Sequence, residues 1–88
     1  MTETAASAEM PRYACHKQVH ALKIKSVLYS DQAIALVPED GGYAPIELSL
    51  HFDTKHNPQP GGYYVVYDDG YASYSPAQAF ESGYIRIS

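Results

Sequence analysis

The chain has one cysteine, Cys15, and no tryptophan among its 88 residues. A single cysteine excludes an internal disulfide, so nothing covalent staples the fold. Only 18% of residues are charged, and Lys and Arg together number 6. The net charge is −4, and an acidic chain lacks the broad positive field that general nucleic-acid binding needs. No apolar run approaches the roughly 20 residues of a membrane span. The opening residues, MTETAASAEM, lack the charged start and apolar core of a secretion signal. The expectation is a soluble, cytoplasmic protein, with which a free thiol is compatible.

A domain this small buries a modest share of its surface and is marginal alone. With no disulfide and no evident metal cluster, a homo-oligomer is expected. Residues 1–10 are Thr, Ala, Ser and Glu without periodicity, and read as a disordered tail. Residues 11–88 read as a single domain.

Aromatic and β-branched residues are what the chain does have. Nine tyrosines occur, and Tyr63, Tyr64, Tyr67, Tyr71, Tyr74 and Tyr84 crowd into Gly61 to Ser88. In that stretch Tyr63 to Tyr67 alternates as a strand, Asp68-Asp69-Gly70 forms a tight turn, and Tyr71 to Tyr74 returns. Ser75-Pro76-Ala77-Gln78 fits a capping box, with Ser75 as N-cap and Pro76 at the first helical position. About two helical turns follow, Gly83 stops them, and Tyr84, Ile85 and Ile87 read as a closing strand. A helix so short needs Phe80 docked on a sheet.

Earlier in the chain, Pro11 to Gln18 is ambiguous. Val19 to Tyr29 reads as a strand whose alternation blurs at Ser26-Val27-Leu28, the mark of a bulge. Ser30-Asp31-Gln32 is a turn, and Ala33 to Val37 is a strand ended by Pro38. Glu39-Asp40-Gly41-Gly42 is a second turn. Ile46, Leu48, Leu50 and Phe52 alternate with polar residues and predict one half-buried strand. Lys55 to Gly62 is an exposed connector. The fold class is α+β: a small antiparallel, strongly bent sheet or partly open β-barrel of five to six strands, with one short C-terminal helix.

The candidate sites each have a plainer alternative. Tyr63, Tyr64, Tyr67, Tyr71 and Tyr74 place rings on both faces of a hairpin, so one face offers a stacking surface to a partner or a nucleobase. The alternative is cross-strand packing. Arg12, Lys17, Lys23 and Lys25 lie in a segment with no acid between Met10 and Ser30, and suit a small anion. The alternative is that they face solvent or the chain's own acidic half. Cys15, His16 and His20, with His51 or His56, offer zinc-ligand chemistry at a spacing that matches no standard framework. Extended, Cys15 and His16 point apart and do not form a nucleophilic pair. Asp68 and Asp69 are turn formers rather than an acid–base pair. Gly61-Gly62 lacks the residues of a phosphate loop. No catalytic residue, metal or cofactor is assigned, and the chain is expected not to be an enzyme.

The pattern GGYYVVYDDGYASYSPAQAFESGYIRI, with CHKQVHALKI before it and GYAPIELS between, resembles a group of small proteins encoded by tailed phages and prophages. They are generally of unknown function. The resemblance spans Arg12 to Ile87 and leaves out the tail. It implies a small accessory phage protein in the bacterial host cytoplasm, and carries no catalytic residues over. The expected function is a non-catalytic binding protein that blocks or sequesters a host component. Its partner is then a host protein, or a small nucleotide-type ligand held by tyrosines and lysines. The alternative is a minor structural component of the virion or its assembly.

Overall fold

The computed structural model describes Pro11 and residues 17–87. The tail, Arg12, Cys15 and His16 lie outside the described residues. Five antiparallel strands form one open sheet in the order β3-β2-β1-β4-β5.

Strand β1 (His20–Tyr29) is the spine. Its first part, His20 to Lys23, pairs with β4 (Tyr63–Val66), and its remainder, from Ile24 to Tyr29, pairs with β2 (Ala33–Pro38). The register shifts between Ile24 and Ser26, so the bulge falls at Lys25, slightly ahead of where the alternation blurs. A bulge bends its strand and raises local twist, which lets β1 serve two half-sheets. Ile24 sits at this junction. Its N–H donates to the Gly62 carbonyl at 2.8 Å, and its carbonyl accepts from Gly61 N at 2.7 Å.

The turns form as the sequence predicts. Ser30 Oγ accepts from Ala33 N at 3.1 Å, closing the β1–β2 hairpin. Asp40 Oδ1 accepts from Gly42 N, and Asp69 Oδ1 from Tyr71 N, both at 2.9 Å. Gly70 takes a φ of 88°, a region closed to most side chains. Strand β5 (Ala72–Ser75) then returns beside β4.

Ile24, Ile34 and Leu36 form one buried cluster, with Val27, Ile46, Leu48, Phe52, Tyr64 and Tyr74 packed against it, and Val65 is buried as well. The alternation of β2 puts Ile34, Leu36 and Pro38 inward.

Three expectations are corrected. The strand predicted from Ile46 through Phe52 ends at Ser49: β3 is Ile46–Ser49, and helix α1 is Leu50–His56. Ser49 is the N-cap, its Oγ accepting from Phe52 N at 3.3 Å. Asp53 in the first turn and Lys55 and His56 in the last suit the helix dipole. Phe52 still reaches the core, but from a helix, and Leu50 is left exposed. Asn57 caps the C-terminus at φ 46°, the left-handed conformation that asparagine tolerates. The described residues therefore hold two helices rather than one.

The second correction concerns the capping box. Ser75 pairs with Tyr63 as the last residue of β5, so its backbone belongs to the sheet. Pro76 occupies the N-cap of helix α2 (Ala77–Glu81), which has no side-chain cap. Third, Tyr84 to Ile87 follows α2 without pairing into the sheet, and Ile85 and Ile87 are exposed.

A candidate contact surface

The hairpin β4–β5 divides its tyrosines by strand parity. Tyr64 and Tyr74 are cross-strand partners and turn to the core, where Tyr64 lies 5.9 Å from the Phe52 ring. Both rings pack against the core, and Tyr64 also reaches a groove along β1. Tyr63 points to the opposite face, and α2 covers it. Its ring stacks on Phe80 at 4.2 Å, and Phe80 stacks on Tyr84 at 4.5 Å.

A polar latch fastens this stack. The Tyr63 hydroxyl donates to Glu81 Oε2 at 2.7 Å, and Lys23 Nζ donates to the same oxygen at 2.9 Å. These two donors, Tyr63 first, hold the Glu81 carboxyl below its ordinary value. The same hydrogen bonds are the leading reason that Tyr63 and Lys23 are raised. Lys23 is thus committed to the protein's own acid, the plainer reading of the basic segment.

Tyr67 and Tyr71 are the pair left near solvent. They stack at 6.2 Å beside the Asp68-Asp69-Gly70 turn, with Lys17 Nζ 4.8 Å above Tyr67 and Lys55 Nζ 5.3 Å above Tyr71. His56 meets the edge of Tyr71 at 6.3 Å. Burial, and then the neighbouring Lys55, lower the His56 pKa, favouring the neutral ring. Lys17, Tyr67, Asp68, Asp69 and Tyr71 line one shallow depression.

The tyrosines and lysines expected to hold a partner or a small anion are divided between two surfaces. Lys17 joins Tyr67 and Tyr71 beside the Asp68 and Asp69 carboxylates, and a second groove is lined by Lys17, Lys23, Tyr63 and Tyr64. Lys23 is engaged elsewhere, and Lys25 stands exposed on the bulge. Arg12 lies outside the described residues. What the geometry does offer is a mixed aromatic and charged patch suited to a protein surface. Sequence reasoning placed Lys55 and His56 in an exposed connector, with His56 as a candidate metal ligand, and not at the end of a helix facing Tyr71.

A second, broader groove lies along the first half of β1. Leu22, Tyr43, Tyr64 and Val66 contribute to it, with Ile85 and Ile87 on the C-terminal segment. Tyr43 is half exposed there. Among the described residues no group of three or more His, Cys, Asp or Glu is placed to hold a metal, and no helix is long and apolar enough to cross a membrane.

No family model and no curated protein matches the chain. A solved structure does: the NMR solution structure of the monomeric form of the phage L decoration protein. The two are 30% identical, with a TM-score of 0.63 over 82% of this chain. The match covers 54% of that protein, so the chain spans about half its length. This finding supports the phage association implied by the sequence resemblance. It overturns the expected role as a blocker or sequesterer of a host component, because a decoration protein is a part of a virion. The chain is thus similar, in sequence and in fold, to a phage decoration protein.

Proposed function

We propose that the chain is a structural protein of a phage particle, one that binds the particle's protein shell. The observation that carries this reading is the 30% identity to the phage L decoration protein, held across 82% of the chain in a common fold. The surface chemistry agrees with it. Tyr67 and Tyr71, flanked by Lys17 and Lys55, give flat rings and hydroxyls with charges at their rim. Such a patch suits a protein partner, where aromatic residues anchor contacts at low entropy cost. The chain then works by binding and needs no catalytic group. It meets its partner where particles assemble, in the host cytoplasm.

Particles purified from a producing host, analysed by mass spectrometry, should contain the chain. Purified protein added to particles lacking it should sediment with them. Substituting Tyr71→Ala together with Lys17→Ala should weaken that binding about tenfold or more, as the loss of one interface hot spot does. Absence from particles, together with failure to co-sediment, would overturn the proposal.

A further inference from the structure

One wall of the groove along β1 is an unpaired strand edge. Ile24 N donates to Gly62 O, so on β1 the backbone groups of Ile24, Leu22 and His20 face β4. Those of Lys23 and Ala21 face away from it. The Lys23 carbonyl accepts from Glu39 N at 2.8 Å, and pairing with β2 starts only at Ile24. Ala21 therefore turns its N–H and C=O to an edge that carries no strand among the described residues. Such an edge accepts a further strand.

The chain's own C-terminal segment lies beside that edge. Tyr84, Ile85, Arg86 and Ile87 all line the groove, together with Leu22 and Tyr43. The root of the segment is fixed. Tyr84 N donates to Phe80 O at 3.0 Å, and the Tyr84 ring stacks on Phe80. Beyond that root the segment joins no ladder, and Ile85 and Ile87 are 86% and 71% exposed. Alternation puts both isoleucines on one side of the segment when it is extended. Arg86 between them is already engaged. Two isoleucines thus stand in water beside an apolar wall, and covering that wall would recover the free energy of their exposure.

We propose that Tyr84 to Ile87 is a strap that closes on the groove of its own chain. It adds as a short strand beside Ala21 and brings Ile85 and Ile87 against Leu22 and Tyr43. Arg86 supplies no new charge pair. A segment tethered at Tyr84 meets the groove at an effective concentration of about millimolar, well above that of a second copy in ordinary solution. Closure hides two apolar side chains and also shields an edge open to unwanted pairing. The strap does not involve Tyr67 or Tyr71, so the inference stands apart from particle binding.

The test is amide hydrogen exchange of the full chain by NMR across a dilution series, with Tm, for the wild type and for Ile85→Ser with Ile87→Ser. The wild type should protect the Ala21 amide equally at every concentration. The double variant should exchange Ala21 about tenfold faster or more and lose about 4–8 °C in Tm. Its Ile24 amide, bonded to Gly62, should stay protected and so report an intact sheet. A wild type that exchanges Ala21 as a free amide would overturn the proposal. So would a double variant with unchanged Ala21 exchange or unchanged Tm. Protection that fades on dilution would overturn it too, because a second copy would then be supplying the strand.

Discussion

Replacing Gly62 by alanine is the sharpest probe of how the two half-sheets meet. Gly62 is buried, and a Cβ placed there falls on the Tyr74 ring, 2.6 Å from its Cζ. Neither side can yield easily. The Gly62 carbonyl accepts from Ile24 N at 2.8 Å and its N–H donates to Gln59 O at 3.2 Å, so the backbone is held. Tyr74 pairs with Tyr64 and packs on the Ile24, Ile34 and Leu36 cluster. Overpacking of this kind costs about 1–3 kcal/mol. For a domain of this size each kcal/mol lowers Tm by roughly 4–8 °C. The assay is thermal and urea unfolding of four proteins: wild type, Gly62→Ala, Tyr74→Leu and the double variant. Leucine removes the ring atoms that the new Cβ meets while keeping an apolar side chain at the site. The double variant should then match Tyr74→Leu within about 0.5 kcal/mol, with a coupling of about 1–3 kcal/mol. Additive losses in the double variant would refute the reasoning. So would a Gly62→Ala protein as stable as wild type.

Other consequences follow from single residues. Ser49→Ala removes the N-cap of α1 and should cost about 1 kcal/mol, read as a fall in urea midpoint with an unchanged slope. Asn57→Ala should cost about 1–2 kcal/mol because alanine resists the left-handed φ, whereas Asn57→Gly should be nearly neutral; equal effects would contradict the backbone argument. Glu81 is a carboxyl whose folded pKa is lowered by Tyr63 and Lys23. Its contribution is therefore present above the ordinary value of 4.5 and fades as pH falls through the lower, folded value. The Phe80 and Tyr63 ring resonances should move together only in that acidic range, and Glu81→Gln should abolish the transition. A transition that persists in that variant would assign it to another group.

The latch and the stack it secures hold helix α2 on the sheet. Helix α2 contributes no buried residue, and it meets the sheet through Phe80 on Tyr63 and through Glu81. Where α2 sits fixes where Tyr84 to Ile87 begins.

Local chemistry determined much of this protein from its sequence. Ser30, Asp40 and Asp69 close turns through their own side chains, and Gly70 supplies a positive φ, so these hairpins need nothing distant. The antiparallel α+β class and the bulge in β1 follow from the same short-range patterns. The resemblance to phage proteins was also legible in the residues alone. Tertiary structure decided the rest. Leu50 and Phe52 fit a strand of period two equally well until Ser49 capped a helix whose Phe52 reaches Tyr64. Ser75 satisfies a capping motif locally, yet pairing with Tyr63 draws it into β5. The tyrosines could not be sorted in advance, because alternation says which rings share a face but not which face meets the core. Core packing took Tyr64 and Tyr74, α2 took Tyr63, and Tyr67 and Tyr71 remained near solvent. Lys17 and Lys55 reach those rings from distant parts of the chain, and only the folded sheet brings them together.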